Sequence, residues 1–311
     1  MKDFFKGVKV LFSACRGYST PTSIMSWLIP FTIGALSKGN IFYGTLAFLG
    51  VFAVHLGTNI FDDALDYTKE LIDIKHGLKT EPNLQEGKCA YILNNTLSLK
   101  ASYFIAFGLF SIGLIIGLFF LHVWGFKLLY IIIPTAILCI LYPILGCLGL
   151  GEIIVGTIYS VLLYSGVYFV MTGEFSSTIL LLSISTGLLV VTVLVNHMLL
   201  DYKVDENNRK ITLCRLCKTE KNALILMSLI IVFAYINIIS LCLTKQISYI
   251  YLITLLSIPF ATKLIFEMNK YINNKSKIDQ KNFIIKFLLS EKLLTSFTGL
   301  LFIAILLDKL L

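Results

Sequence analysis

Charge is scarce in this chain. Only 14% of its 311 residues are Asp, Glu, Lys or Arg, against 57% hydrophobic, and the mean hydropathy is +0.85. That composition excludes an ordinary soluble domain and points to a polytopic helical membrane protein. A soluble basic surface is also lacking. The net charge of +8 is therefore not that of a nucleic-acid binder and has to be read through loop placement. Evenly paired cysteines are lacking too. The seven present, Cys15, Cys89, Cys139, Cys147, Cys214, Cys217 and Cys242, are an odd number with several in apolar runs. They read as free thiols in a reducing or lipid setting. Cys214 and Cys217 form one CxxC, with no second pair or histidine cluster nearby to complete a zinc site. The opening MKDFFKGVKVLFSACRGYS has neither a long apolar core nor a small-residue cleavage site. It reads as a basic, amphipathic, interfacial segment and not as a cleaved signal. No low-complexity linker and no strict repeat divides the chain, so residues 1–311 are expected to form a single domain.

What fills the chain is apolar sequence. Runs near 22–38, 41–62, 101–121, 127–145, 151–172, 177–200, 222–243, 247–268 and 289–308 give about nine candidate spans, most near the roughly 20 residues that cross hydrocarbon. The expected fold is an all-α, polytopic membrane helix bundle. Basic residues alternate between the connections. Lys2, Lys6, Lys9 and Arg16 precede the first run, and Lys69, Lys75, Lys79, Lys88 and Lys100 follow the second. Lys203, Arg209, Lys210, Arg215, Lys218 and Lys221 follow the sixth, and Lys270, Lys275, Lys277, Lys281 and Lys286 follow the eighth. The opposite connections carry only Lys38, Lys127 and Lys245. By the positive-inside rule this predicts an inner-membrane protein with a cytoplasmic amino terminus and an external carboxyl terminus.

The acidic residues are concentrated. Of eighteen, six are Asp62, Asp63, Asp66, Glu70, Asp201 and Asp205. In the stretch NIFDDALDYTKE, residues 59–70, Asp62, Asp66 and Glu70 stand four apart, and Asn59 and Asp63 complete the same helical stripe. A carboxylate at membrane depth costs about 2.5–3.5 kcal/mol, and like charges one turn apart also repel. A bound cation would neutralise such a row. Mg²⁺ is the candidate, because it takes oxygen ligands and is shared with substrate phosphates. Asp201 and Asp205 repeat the pattern at the end of another apolar run, and the two acidic helix ends are expected to face each other around a metal–diphosphate cluster. Divalent ions bridging a diphosphate make it a competent leaving group. Lys69, Lys203, Arg209 and Lys210 stand beside these motifs to contact phosphates. The alternative is that the carboxylates only form helix-end salt bridges with those cations. A transporter reading would need such groups near the bilayer midplane, on broken helices with repeat symmetry; here they close two spans at one face.

These residues resemble the UbiA superfamily of intramembrane aromatic prenyltransferases over nearly the whole chain. The family's NDxxDxxxD motif is matched by Asp62, Asp63, Asp66 and Glu70, with Asp for the leading Asn and Glu for the final Asp. Its DxxxD motif with a GKRTL-like run is matched by Asp201, Asp205 and Asn208 to Leu213. Arg16, Pro30 and Gly34 are similar to its opening R…P…G pattern. Within the superfamily the 1,4-dihydroxy-2-naphthoate branch of menaquinone synthesis is most similar, through Asn59, Asn196, the GLGE segment Gly149–Glu152 and the YFVMTG segment Tyr168–Gly173. One departure is Gly146-Cys147-Leu148, where that branch carries a basic residue. The resemblance implies Mg²⁺ on the six carboxylates, with Asp63, Asp66, Asp201 and Asp205 as the catalytic set. It implies substrate contacts from Arg16, Asn59, Lys69, Glu152, Asn196, His197, Lys203, Arg209 and Lys210. The partners implied are a polyprenyl diphosphate, an aromatic acceptor and the bilayer, with 4-hydroxybenzoate or a glycerol phosphate lipid as other acceptors. For three features both readings stand open. Glu152 either favours a helix start or orients the acceptor. His197 contacts substrate or packs. Tyr142, Tyr159, Tyr164 and Tyr168 line a ring pocket or anchor helices. His55 reads as a packing residue.

Overall fold

The longest element is built where the apolar sequence runs straight into the acidic stripe. Ile41–Lys75 is one helix of 35 residues, about 52 Å long at 1.5 Å per residue. Hydrocarbon is about 30 Å thick, so roughly twenty residues suffice to cross it. Counted from Ile41, the surplus length begins at the paired carboxylates Asp62 and Asp63. A computed structural model describes residues 10–12, 14–78, 80–81, 89–146, 148–207, 210–274 and 280–310, without the side chains of 18, 140, 143, 144 and 280–283.

Among the described residues every regular element is helical. In chain order they are α1 (Thr20–Leu36), α2 (Ile41–Lys75), α3 (Ala90–Leu93), α4 (Leu99–Trp124), α5 (Leu129–Gly146), α6 (Gly151–Thr157) and α7 (Leu163–Thr172). Then follow α8 (Ser177–Leu200), α9 (Tyr202–Asn207), α10 (Leu213–Leu216), α11 (Glu220–Leu243), α12 (Ile258–Asn274) and α13 (Gln280–Leu310). A π turn at Ile158–Leu162 joins α6 to α7, and a 3-10 stretch, Tyr249–Ser257, leads into α12. This is the expected all-α membrane architecture. Seven described stretches are long and apolar enough to cross a membrane, fewer than the nine runs counted in the sequence. The first run forms α1, only 17 residues long. The third and fourth lie in one helical stretch, Leu99–Cys139, interrupted at Gly125, whose φ is +64°.

The chain divides into two compact units. One comprises Met1–Ser23 with Thr45–Val123, the other Ile24–Gly44 with Trp124–Leu311. In the first, α2 and α4 meet through glycine. A Cβ on Gly113 would fall 2.4 Å from Val54, and one on Gly57 3.0 Å from Phe110. Small residues let helix backbones close in where lipid offers no hydrophobic drive. Below that contact Phe61 meets Tyr103, Phe107 and Phe110 edge-on, each ring centroid 5.8 Å away.

In the second unit α8 is the most enclosed span, packed against α11, α13 and the α6–π segment. Gly187 admits Ser160 so closely that a Cβ would sit 2.5 Å from it. Buried polar bonds then fix the rotation of the helices. Asn237 donates to Leu181 O and Ser185 Oγ at 3.0 and 2.9 Å, and Ser185 to Ala234 O at 2.9 Å. In hydrocarbon these groups have no water to return to, so the helices hold the faces that satisfy them.

Candidate active site

In the first unit the stripe on α2 meets the segment before α1. Arg16 sits in left-handed backbone, φ 51° and ψ 50°, at the start of the turn Gly17–Ser19. Its guanidinium lies 3.2 Å from Asp62 Oδ2 and bonds Asp63 Oδ1. Asp63 is 2% exposed, and its other oxygen accepts from the Cys89 N–H at 3.4 Å. Cys89 also adopts left-handed backbone, φ 58°, and its thiol donates to Asp63 O at 3.1 Å. Two non-glycine residues at positive φ therefore bracket one buried carboxylate, and such strain gathers at functional sites. Asn59 donates to Cys15 O at 2.9 Å and Ser19 Oγ at 3.3 Å, which ties the Arg16 turn to α2. His55 bonds Ser19 through Nε2 at 3.1 Å and Ser23 through Nδ1, as a packing residue would. Asp66 lies 3.6 Å from Lys69, with about a third of its side chain exposed. Glu70 follows one turn on, half-buried.

In the second unit α8 ends at Leu200 and Asp201 takes the C-cap position. A carboxylate there opposes the partial negative charge of the helix end, so a cation nearby is stabilising. His197 Nε2 lies 3.3 Å from Asp201 Oδ2, and its ring meets Phe287 edge-on at 5.6 Å. Asp205, on α9, is 1% exposed. Lys210 N donates to Asp205 O at 2.9 Å, and Lys210 Nζ stands 3.8 Å from Asp205 Oδ1. The loop carrying Lys210 is clamped at its far end. Glu152 is buried and accepts from Leu213 N at 3.4 Å, and Arg215 bonds Glu206 at 2.6 Å. Gly149, φ +77°, brings the GLGE segment so close that a Cβ would meet Leu216 at 2.8 Å. Asn196 is fully buried and donates to Lys286 O and Ser290 Oγ at 3.1 and 3.0 Å, which joins α8 to α13.

A model of the UbiA prenyltransferase family matches residues 23–290, well over half of the chain. The chain belongs to that family. Two solved structures share its fold. One is described as a digeranylgeranylglyceryl phosphate synthase in membranes; it is 18% identical, with 98% of this chain and 99% of that one covered at a TM-score of 0.61. The other is a UbiA homologue from Archaeoglobus fulgidus bound to GPP and Mg²⁺, 12% identical, with 94% and 99% covered at a TM-score of 0.62. No curated protein matches the chain. As a UbiA family member it is a multi-pass membrane protein, and the transporter reading falls away.

Several expected site residues of this UbiA protein do meet within their own unit: Arg16, Asn59, Asp62 and Asp63 in the first, His197, Asp201, Asp205 and Lys210 in the second. Lys203 is exposed on α9. Arg209, like Asn208, lies outside the described residues. Cys214 and Cys217, with the other four described cysteines, are free thiols; Cys214 bonds Val195 O at 3.4 Å, a packing contact. Among the described residues no three His, Cys, Asp or Glu side chains converge as a metal site. Mg²⁺ does not require that, because it is commonly held by one or two carboxylates with substrate phosphates. The donors present are hard carboxylate oxygens, so the set fits the ion. Sequence reasoning missed Ser19, Ser23 and Cys89, whose only signal is backbone conformation and proximity in space.

Proposed function

We propose that this protein transfers a polyprenyl group from its diphosphate to an aromatic acceptor at the cytoplasmic face of the membrane, with 1,4-dihydroxy-2-naphthoate as the acceptor. One observation carries the reading: in each unit buried carboxylates close an apolar helix with a cationic side chain beside them. Asp62, Asp63, Asp66 and Glu70, and Asp201 with Asp205, would hold Mg²⁺. When bound, it screens the diphosphate so that the carbon–oxygen bond can break.

The protein's own groups do the rest. Lys69, Lys203 and Lys210 offer point charges to phosphate oxygens, and Arg16 holds Asp62 and Asp63 in place for that work. Charge-assisted contacts of this kind favour the departing diphosphate over the bound ester. The apolar helices keep water from the allylic cation, which would otherwise be lost as the alcohol. The electron-rich ring then attacks the allylic carbon, and for the naphthoate the ring also loses its carboxylate. Glycerol phosphate acceptors are the second reading, favoured by the likeness in fold to a digeranylgeranylglyceryl phosphate synthase.

The test is direct. Purified protein with Mg²⁺ and radiolabelled polyprenyl diphosphates is offered dihydroxynaphthoate, 4-hydroxybenzoate and a glycerol phosphate lipid. Prenylated naphthol with release of CO₂, abolished by EDTA, is the expected product. Turnover of the glycerol phosphate alone replaces the acceptor; hydrolysis or silence with every acceptor ends the reading.

A further inference from the structure

Tyr91 has no part in the chemistry above, yet it lies in the same place as Asp63. It stands on α3, two residues after Cys89, whose N–H and thiol both bond Asp63. Its side chain packs with Ala14, Cys15, Ile60 and Cys89 and is 8% exposed. The phenol oxygen is buried, and among the described residues it has no hydrogen-bond partner. Burying a hydroxyl without a partner costs stability, and tyrosines in cores normally find one. A phenylalanine would fill the same space without that cost. A phenol keeps its proton at neutral pH, so the oxygen is a donor. Asp63 accepts from Arg16 and from Cys89 N–H, and no described acceptor, Asp63 included, takes the phenol proton. The hydroxyl is thus left able to donate to a bound ligand.

We propose that the Tyr91 hydroxyl is a further binding group of the first acidic motif, donating to a phosphate oxygen of the incoming prenyl diphosphate. The inference rests on the diphosphate reading above and deepens it. Asp62 and Asp63 outnumber Arg16 by one charge, so the diphosphate is held there as its Mg²⁺ complex, and binding is measured with Mg²⁺ present. Tyr91 touches a non-reacting oxygen and is a binding residue, with its effect on affinity.

Two readouts on the full chain in detergent decide the matter: melting temperature without ligand, and the Kd of geranyl thiodiphosphate with Mg²⁺, a probe that resists ionisation. For Tyr91→Phe the ligand-free melting temperature stays level or rises, because an unpaired buried hydroxyl is removed. The Kd rises about 10- to 100-fold, as for loss of a hydrogen bond to a charged acceptor. A wild-type Kd in Tyr91→Phe overturns the inference while leaving the diphosphate reading intact. A lowered melting temperature with unchanged Kd overturns it as well, because the hydroxyl then has a structural partner. If the wild-type protein itself does not bind the probe, the diphosphate reading has failed and the inference goes with it.

Discussion

Asp63 carries two roles that one substitution cannot separate. It is a candidate metal ligand, and it is also the buried partner of Arg16. Removing one member of a buried ion pair costs about 3–5 kcal/mol when the other stays desolvated. Arg16 keeps about a quarter of its side chain exposed, so Asp63→Asn should lose no more than about 3 kcal/mol together with turnover. Asp66, partly exposed beside Lys69, separates the roles. Asp66→Asn should lower turnover on the order of 10²–10³-fold, the scale of one electrostatic contact to the transition state, with stability within about 0.5 kcal/mol. Asp201→Asn should likewise abolish turnover in protein that still folds. Wild-type rates in both Asp66→Asn and Asp201→Asn would remove the metal argument. The cysteines give a separate check. Burial pushes the Cys15 thiol up to about 11, and burial also raises Cys214. A thiol with a raised pKa carries almost no thiolate at pH 7–8, and its reactivity grows only as pH approaches that value. Maleimide should therefore spare Cys15 and Cys214 in the native protein at pH 7 and modify both after denaturation; fast native labelling of Cys214 would reopen a reactive role for the CxxC.

At the scale of elements, the GLGE segment and the loop after the second acidic motif act as one part. Gly149 and Glu152 clamp Thr212 to Leu216, and the loop they hold carries Lys210 to Asp205. Glu152 thereby supports the loop that brings Lys210 to Asp205. Gly149→Ala should be strained twice, by its positive φ and by the contact with Leu216, and lose about 1–3 kcal/mol. Glu152→Ala should raise the KM for prenyl diphosphate more than that for the acceptor, with Glu152→Gln, which keeps a hydrogen-bond acceptor, partly restoring it. The opposite split, acceptor KM alone, would return Glu152 to the ring.

For the whole molecule, the alternation of lysines predicts a sidedness, and two of them offer its test. Lys38 and Lys221 are both exposed and fall in connections of opposite charge character. In intact cells a membrane-impermeant thiol reagent should reach Lys38→Cys from outside and leave Lys221→Cys untouched until the membrane is opened. The reverse pattern would invert the proposed topology.

The sequence by itself determined the class of the protein, since a composition this apolar calls for membrane helices, and it singled out the carboxylate row because charge at membrane depth is costly. Its spacing on Ile41–Lys75 was legible for the same reason, since an i, i+4 pattern survives wherever the helix is straight. The break between the third and fourth runs was legible too, since the gap from 121 to 127 holds Gly125, whose φ of +64° interrupts the helix; that the first run forms a helix of only 17 residues was not. Only the tertiary structure decided that Arg16 holds Asp63, that Asn59 donates to the Arg16 turn and Asn196 to the last helix, and that Cys89 and Tyr91 stand beside the first motif. Those contacts join residues tens of positions apart through strained backbone and burial, and neither leaves a period in the sequence to read.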